Sequence, residues 1–320
     1  MTKRTLVQLA FVIAFAAVAA AAGPSAGHAL VTASSATAPA GTVYFDGRAL
    51  RLRTLYSTST TNQGQLPHVW DGLLFMNNDI QIGTDGRFGR VYVIHAGPGS
   101  RGPWNTGAPA YQAMAELSTR RASFGLGNTY WYAIAFKLDS SWVQPDWVTL
   151  TTLGYPTLSS GPIDIILYRA NGVLSYFLQM NSGLLTRDAT GFYRGSVSSR
   201  SPIAPVAFGK WAEIVLRIRW ATDNTGSVDV YDRLEGQSSW KHSVSKRRLP
   251  TAQYGTTSYG TVNANGTNPD GSRHTVLDKM GLFFGFWSSA TTSFPPRSVS
   301  ETGLTRSSDF AAAVATLHAK

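Results

Sequence analysis

Two short stretches concentrate side chains that could act together. In "DKMGLFFGFW", Asp278 to Trp287, every second residue is apolar: Met280, Leu282, Phe284 and Phe286. The interleaved set is Lys279, Gly281, Phe283, Gly285 and Trp287. Side chains alternate between the faces of a strand, so the first set belongs to a core and the second to the opposite face. Glycine inside a strand weakens it and often marks close approach of a ligand or another backbone. A cation and two aromatic rings between glycines suit a shallow groove where sugar rings lie on aromatic faces. A second packed layer over the same face is the structural alternative. "QAMAELSTR", Gln112 to Arg120, divides similarly. Ala113, Ala115 and Leu117 point inward, while Gln112, Met114, Glu116, Ser118 and Arg120 share the other face. If both stretches lie in one sheet, Glu116, Arg120 and Lys279 share a surface. A Glu–Lys pair there suits either a site or a solvated ion pair.

The elements that must hold these residues read as strands. In "EIVLRIRW", Ile214, Leu216, Ile218 and Trp220 share one side, and "ATDNTG" turns the chain into "SVDVYD". "IDIILYR" and "LSYFLQM" are joined by "ANG", a hairpin signal. "TYWYAIAFKL", Thr129 to Leu138, is apolar on both faces, as a central strand would be. Only "SDFAAAVATL", Ser308 to Leu317, reads as a short helix. Many short strands with frequent turns imply an all-β, antiparallel two-sheet sandwich or jelly roll.

Composition narrows the setting. The 320 residues contain no cysteine, which excludes disulfide staples, thiolate catalysis and cysteine zinc sites. Lys3 and Arg4 precede the apolar run Leu9 to Ala22 and small residues ending near Ala29, the pattern of a secretory leader. The run is too short to span a bilayer comfortably. The expected organisation is a leader over 1–29, a Ser/Ala/Pro lead-in over 30–40 and one domain over 41–320. Removing Lys3 and Arg4 takes the net charge from +10 to +8, because residues 1–29 hold no acid. An exported basic protein attracts polyanions, outside a cell more often acidic polysaccharides than nucleic acids; solubility is the other use of the charge.

Other motifs fail on context. "GPSAG" (Gly23 to Gly27) matches a hydrolase elbow but falls in the leader. "DRLE" (Asp232 to Glu235) pairs two carboxylates in what reads as a turn. "NANGTNPDGS" (Asn263 to Ser272) offers oxygens to Ca2+ but few carboxylates, and the histidines are too scattered for zinc.

The order of runs carries a resemblance. "MAELSTR", "GNTYWYAIAFKLDSSW", "TTLGYPTLSSGPIDIIL", "GKWAEIVLRIRW…GSVDVY" and "KMGLFF" follow one another over roughly Gly41 to Leu317. This resembles polysaccharide lyases with a concanavalin-like jelly roll, the heparin lyase I, glucuronan lyase and alginate lyase group. The alginate-lyase pattern is Arg-x-Glu-Leu, Gln-Ile-His and Lys-x-Gly-Val-Tyr. Here "MAEL" keeps Glu116 but has Met114 for the arginine. "TTL" sets Thr151 and Leu153 at the glutamine and histidine, and "KMGLF" keeps Lys279 and Gly281 with Phe283 for the tyrosine.

The resemblance implies β-elimination from a uronic-acid polysaccharide. That reaction needs a donor that neutralises the carboxylate, a general base and an acid for the leaving oxygen. With the standard residues replaced, the expected catalytic set is Lys279, Tyr155, His95 and Glu116. Arg120, Gln112, Phe283 and Trp287 are expected to bind substrate, and His68 and Arg121 are further candidates. No cofactor is expected beyond Ca2+ at the Asn263 loop. The expected partner is an acidic polysaccharide, with no nucleic acid and no membrane after leader removal, and the protein is expected to be a secreted monomer. A non-catalytic carbohydrate-binding protein on the same fold is the alternative. A nucleic-acid or adhesion protein would use the same charge and aromatics without a motif behind it.

Overall fold

The alternating runs fold as strands, and the Gly, Asn and Asp clusters between them turn the chain. The computed structural model describes residues 43–45, 72–75, 80–96, 112–119, 125–140, 142, 147–155, 161–189, 191–258, 260–273, 277–285 and 297–318. The first strands are β1 (Val43–Phe45), β2 (Gly72–Phe75), β3 (Ile80–Asp85), β4 (Gly89–Ala96), β5 (Gln112–Thr119) and β6 (Thr129–Leu138). There follow β7 (Trp147–Tyr155), β8 (Ile163–Ala170), β9 (Val173–Arg187), β10 (Tyr193–Pro205), β11 (Trp211–Arg219) and β12 (Ser227–Leu234). The last are β13 (Lys241–Arg247), β14 (Gln253–Thr257), β15 (Gly260–Val262), β16 (Leu277–Gly285), β17 (Arg297–Glu301), β18 (Leu304–Ser307) and the helix α1 (Phe310–Leu317).

They form two sheets. The back sheet runs β13-β12-β11-β6-β17-β4-β3, with β18 also on β6 and β1 on β18. The front sheet runs β15-β14-β9-β8-β7-β16-β5-β2, with β10 on β9. Among the described residues the strand pairs are antiparallel except a two-residue parallel contact, Gln253↔Gly183 and Tyr254↔Leu184. The β8–β9 hairpin turns on Asn171 and Gly172, both with positive φ (50° and 80°). That is the geometry a two-residue primed turn demands, and Asn-Gly supplies it at low strain. The β11–β12 hairpin runs in register from Ala212↔Leu234 to Arg219↔Ser227.

The main core lies between the sheets. Tyr132, Ile134, Phe136 and Leu138 of β6 and Ile214, Leu216 and Ile218 of β11 meet Ile163, Ile165 and Leu167 of β8 and Tyr176, Leu178 and Met180 of β9. Trp220, expected on the β11 core side, is fully buried there. The apolar second face of β6 has its own cover: Ala133 and Ala135 join Val215, Trp211, Ala313 and Leu317 in a cluster under α1. Asp309 caps that helix, its Oδ1 accepting the Ala312 N–H at 2.7 Å. One sequence expectation is corrected: Asp232 lies inside β12, not in a turn. It pairs with Ile214, is buried, and accepts a hydrogen bond from the Ser243 hydroxyl. Glu235, just beyond the strand, instead receives the Trp211 N–H at 3.0 Å. No helix among the described residues is long and apolar enough to cross a membrane.

Candidate functional site

The front sheet has one face on the core and one turned away from it, and strand register decides which residues line the second. In β8, Ile163, Ile165 and Leu167 enter the core, which leaves Asp164, Ile166 and Tyr168 on the outer face. Asp164 stands opposite Thr152 of β7 and Gln179 of β9, and Gln179 stands opposite Arg200 of β10. On the other side, Thr152 stands opposite Lys279 of β16, which stands opposite Ser118 of β5. One row therefore crosses six strands: Ser118, Lys279, Thr152, Asp164, Gln179, Arg200.

Hydrogen bonds join the half of this row from β7 to β10. Thr152 Oγ1 donates to Asp164 Oδ1 at 2.7 Å, and Gln179 Nε2 donates to Asp164 Oδ2 at 3.1 Å. Arg200 Nε donates to Gln179 Oε1 at 2.9 Å, and its guanidinium carbon lies 4.8 Å from the Tyr168 ring centroid. Tyr168 in turn meets Phe177 edge to face at 5.4 Å. The neighbouring row is apolar: Phe283 is opposite Thr149, Thr149 opposite Ile166, and Ile166 opposite Phe177. A charged–polar row thus runs beside an apolar and aromatic one.

The row's floor is recessed. Asp164 is only 2% exposed, and Thr149, Thr152, Ile166, Phe177 and Asn181 are also buried, although none faces the inter-sheet core. Burying a carboxylate is costly unless hydrogen bonds satisfy it, and Thr152 and Gln179 do so at separate oxygens. Gly161, just before β8, lies against this pair. A Cβ there would overlap Thr152 Cγ2 and sit 2.7 Å from Asp164 Oδ1.

Irregularities in β7 set the phase. Between Thr149↔Ile166 and Thr151↔Ile165, β7 advances two residues while β8 advances one. This bulge puts Thr151 level with core residue Ile165 and brings Thr152 level with Asp164. A second bulge, between Leu277↔Tyr155 and Lys279↔Thr152, contains Gly154 at φ 69°, which only glycine adopts freely. Tyr155 thus ends β7 immediately after a re-aimed backbone.

The sequence-derived set maps unevenly onto this site. Gln112, Glu116, Lys279 and Phe283 are brought together by the β5–β16 pairing, with Glu116 opposite Gly281 and Gln112 opposite Gly285. Tyr155 is two strands from β5, on β7 beside β16. Arg120, Arg121, His68 and Trp287 lie outside the described residues, as do the leader and lead-in. His95 is separated from the others. It belongs to β4 of the back sheet, where its Nδ1 lies 2.6 Å from Ser298 Oγ. Because Tyr92 and Ile94 enter the core, alternation puts His95 toward the outer face of that sheet. The motif positions taken as Thr151 and Leu153 are also corrected: Leu153 is in the core and the bulge sets Thr151 level with core residue Ile165, so Thr149 and Thr152 are the residues on the outer face. Asp164, Gln179, Arg200 and Tyr168 were missed. The only sequence signal was their alternation with core residues in "IDIILYR" and "LSYFLQM". The oxygens of the Asn263 loop are engaged within it: Asp270 accepts from Ser272, and Asn265 from Thr267.

Charge on the back sheet is organised differently. Glu213, fully buried, accepts from Arg233 and His318 and pairs with Arg87. Burial raises its pKa, but the His318 and Arg233 hydrogen bonds outweigh it and hold the carboxyl down at about 2. Asp85 is likewise held at about 2: burial opposes, and Lys137, the Arg87 N–H and the Trp211 indole prevail.

The fold is a jelly-roll sandwich whose front sheet carries a polar, recessed row on the face turned away from the core. The model of the family described as polysaccharide lyase matches residues 84–259, more than half of the chain, and the protein belongs to that family. No curated protein matches the sequence at a significant level. Among solved structures, the chain is similar to an endo-β-1,4-glucuronan lyase from the fungus Trichoderma reesei. The two share 18% identity at a TM-score of 0.53, over 79% of this chain and 96% of that one. It is also similar to the marine PL-14 alginate lyase from Aplysia kurodai, at 12% identity and a TM-score of 0.47, over 79% of this chain and 100% of the other. The glucuronan lyase likeness shows the jelly-roll fold of the polysaccharide lyases.

Proposed function

We propose that the protein is an exported lyase that cleaves a uronic-acid polysaccharide by β-elimination in the front-sheet groove. The observation that carries this reading is the row from Lys279 through Thr152 and Asp164 to Arg200, on the sheet face away from the core. A polyuronate lying across it would meet a cation at each end and apolar and aromatic residues alongside.

The reaction breaks the C–H bond beside the carboxylate and the C–O bond to the next sugar, and a C=C bond forms between the two carbons. The base takes the proton, and the leaving oxygen receives one. Lys279 is assigned to the substrate carboxylate, where its charge stabilises the enolate-like intermediate. Tyr155, at the bulged end of β7, is assigned the proton transfers. Glu116, opposite Gly281, is assigned to orient Lys279, while Gln112, Arg120, Phe283 and Trp287 bind neighbouring sugars. The leader over 1–29 would direct the chain out of the cell, and the secreted form would begin near Leu30.

The test is incubation with alginate, glucuronan, heparin and related polyuronates, following the ultraviolet absorbance of unsaturated sugar ends. Lys279→Ala and Tyr155→Phe should each lower kcat by about a hundredfold or more, the scale of losing one charge-stabilising or proton-transfer group. Unchanged rates in both variants would move the site elsewhere. A second reading is supported by Met114 and Phe283, which stand where the resemblance leads one to expect arginine and tyrosine. In that reading the same groove binds polyuronate without cleaving it. Salt-sensitive retention on a polyuronate column, with no unsaturated product from any substrate, would establish it over the first.

A further inference from the structure

Arg200 is an exposed arginine with unusual support. Exposed arginines ordinarily sample many rotamers, and ordering one costs side-chain entropy. Here one nitrogen, Nε, is tied to Gln179 Oε1, and the guanidinium lies over Tyr168. Gln179 can play this part only one way round. Arginine only donates and a carboxylate only accepts, so the amide must turn its oxygen to Arg200 and its NH2 to Asp164. Thr152 fixes the other Asp164 oxygen. The buried Asp164 carboxylate therefore sets the Gln179 amide, and the amide sets the arginine. The two Nη groups, with four N–H bonds, have no protein partner among the described residues, and no carboxylate there pairs with them. Tyr168 lies on β8, two strands from Lys279 on β16. Tyr168 is also four residues along β8 from Asp164, which is level with Lys279 through Thr152, so at the usual strand spacing and rise the separation is about 16 Å.

We infer that Arg200, held by Gln179 and Asp164 over the Tyr168 ring, is a carboxylate clamp for a uronate unit beyond the one at Lys279. The inference rests on the polyuronate reading above. The planar fork of Nη donors matches a carboxylate two bonds at a time, which lysine cannot do. The clamp would give the groove a preference for chains long enough to reach it and acidic at that unit. It would act on binding rather than on the bond-breaking step.

The experiment compares the full-length protein with Arg200→Gln and Arg200→Lys on size-fractionated oligouronates. Lys210→Gln makes the same charge change as Arg200→Gln at an exposed position before β11 and is the control. On long oligomers Arg200→Gln should raise KM about tenfold with little change in kcat, and Arg200→Lys should recover only part of it. The effect should vanish on oligomers too short to span from Lys279 to Tyr168. Equal KM for Arg200→Gln and the Lys210→Gln control at every length overturns the clamp, as does an equal loss on the shortest oligomers. If the native protein cleaves no polyuronate, affinity electrophoresis on the same polymers decides separately. Retention that weakens in Arg200→Gln but not in Lys210→Gln upholds the clamp while the lyase reading falls. Retention equal in all variants, or none in the native protein, sinks it.

Discussion

At the residue scale, the molecule uses buried carboxylates for two different purposes. Glu213 is paired with Arg87 and Arg233 and hydrogen-bonded to His318 under α1, so its charge is spent on structure. Asp164 instead accepts from Thr152 and Gln179, and through Gln179 its hydrogen bonds reach Arg200. The two therefore fail differently when neutralised. Glu213→Gln strands Arg87 and Arg233, both partly exposed, and should destabilise the fold by about 2–4 kcal/mol, somewhat under the cost of breaking a fully buried pair. The native pKa of about 2 lies below the ordinary 4.5, so the stabilisation is fully present above pH 4.5 and lost as pH falls toward 2. Urea midpoints measured across that range should converge for the native and Glu213→Gln proteins at the acid end. Asp164→Asn should leave the fold within about 1–3 kcal/mol, the range for a disturbed buried hydrogen bond. Its new NH2 competes with the Gln179 NH2, the Gln179 amide turns, and Arg200 loses its acceptor. Polyuronate affinity in Asp164→Asn should then fall as it does in Arg200→Gln; native affinity would show that the arginine needs no such anchor.

At the element scale, what the sequence disclosed and what it hid follow from period two. Alternation in "DKMGLFFGFW" and "QAMAELSTR" implied a shared sheet for β16 and β5, and the two strands do pair, with Lys279 level with Ser118 on one side and with Thr152 on the other, and Phe283 level with Thr149. The Asn171-Gly172 turn and the helix after Ser308 were equally legible, because each depends on a few adjacent residues. The β7 phase was not. A bulge adds a residue without changing composition, so "TLTTLGY" gives no sign that Thr152 replaces Thr151 on the open face. Nor was the polar row, whose hydrogen-bonded partners are 12, 15 and 21 residues apart and meet only when the strands are in register. His95 shows the converse error, since a strand-end histidine before a Gly/Pro loop says nothing about which sheet its strand joins. The approach of Gly161 to this row makes a sharp element-scale prediction. Gly161→Ala puts a methyl against Thr152 and Asp164 with no flexible chain end to yield. It should weaken polyuronate binding or turnover at least tenfold, with a fall in Tm of a few degrees, on the scale of a 1–3 kcal/mol overpacking defect. Wild-type kinetics in Gly161→Ala would mean that the loop, rather than the row, gives way.

At the scale of the whole molecule, two sheets divide the work. The back sheet carries a helix, a second apolar cluster and carboxylates paired with arginines, as in Asp229 with Arg217 and Arg247, where His242 adds a hydrogen-bonding contact. The front sheet carries the polar row on its outer face. The chain carries +10, and with acids such as Glu213 and Asp229 buried in cationic partners, the surplus is expressed at the surface. A positive molecule gathers a polyanion from a distance, and this part of the attraction is screened by salt. A fixed fork such as Arg200, close against its partner, is screened far less. Raising ionic strength from 0.1 M to 1 M shortens the screening length from about 10 Å to about 3 Å. KM for a long polyuronate should rise at least tenfold over that interval in the native protein, with kcat nearly constant, because the charge assists encounter and binding rather than bond cleavage. The ratio of KM between Arg200→Gln and native protein should stay within about threefold of its low-salt value, since it reports a contact and not the field. A native KM indifferent to salt would confine the net charge to solubility. A ratio that collapses to one at high salt would reduce Arg200 to one more unit of surface charge.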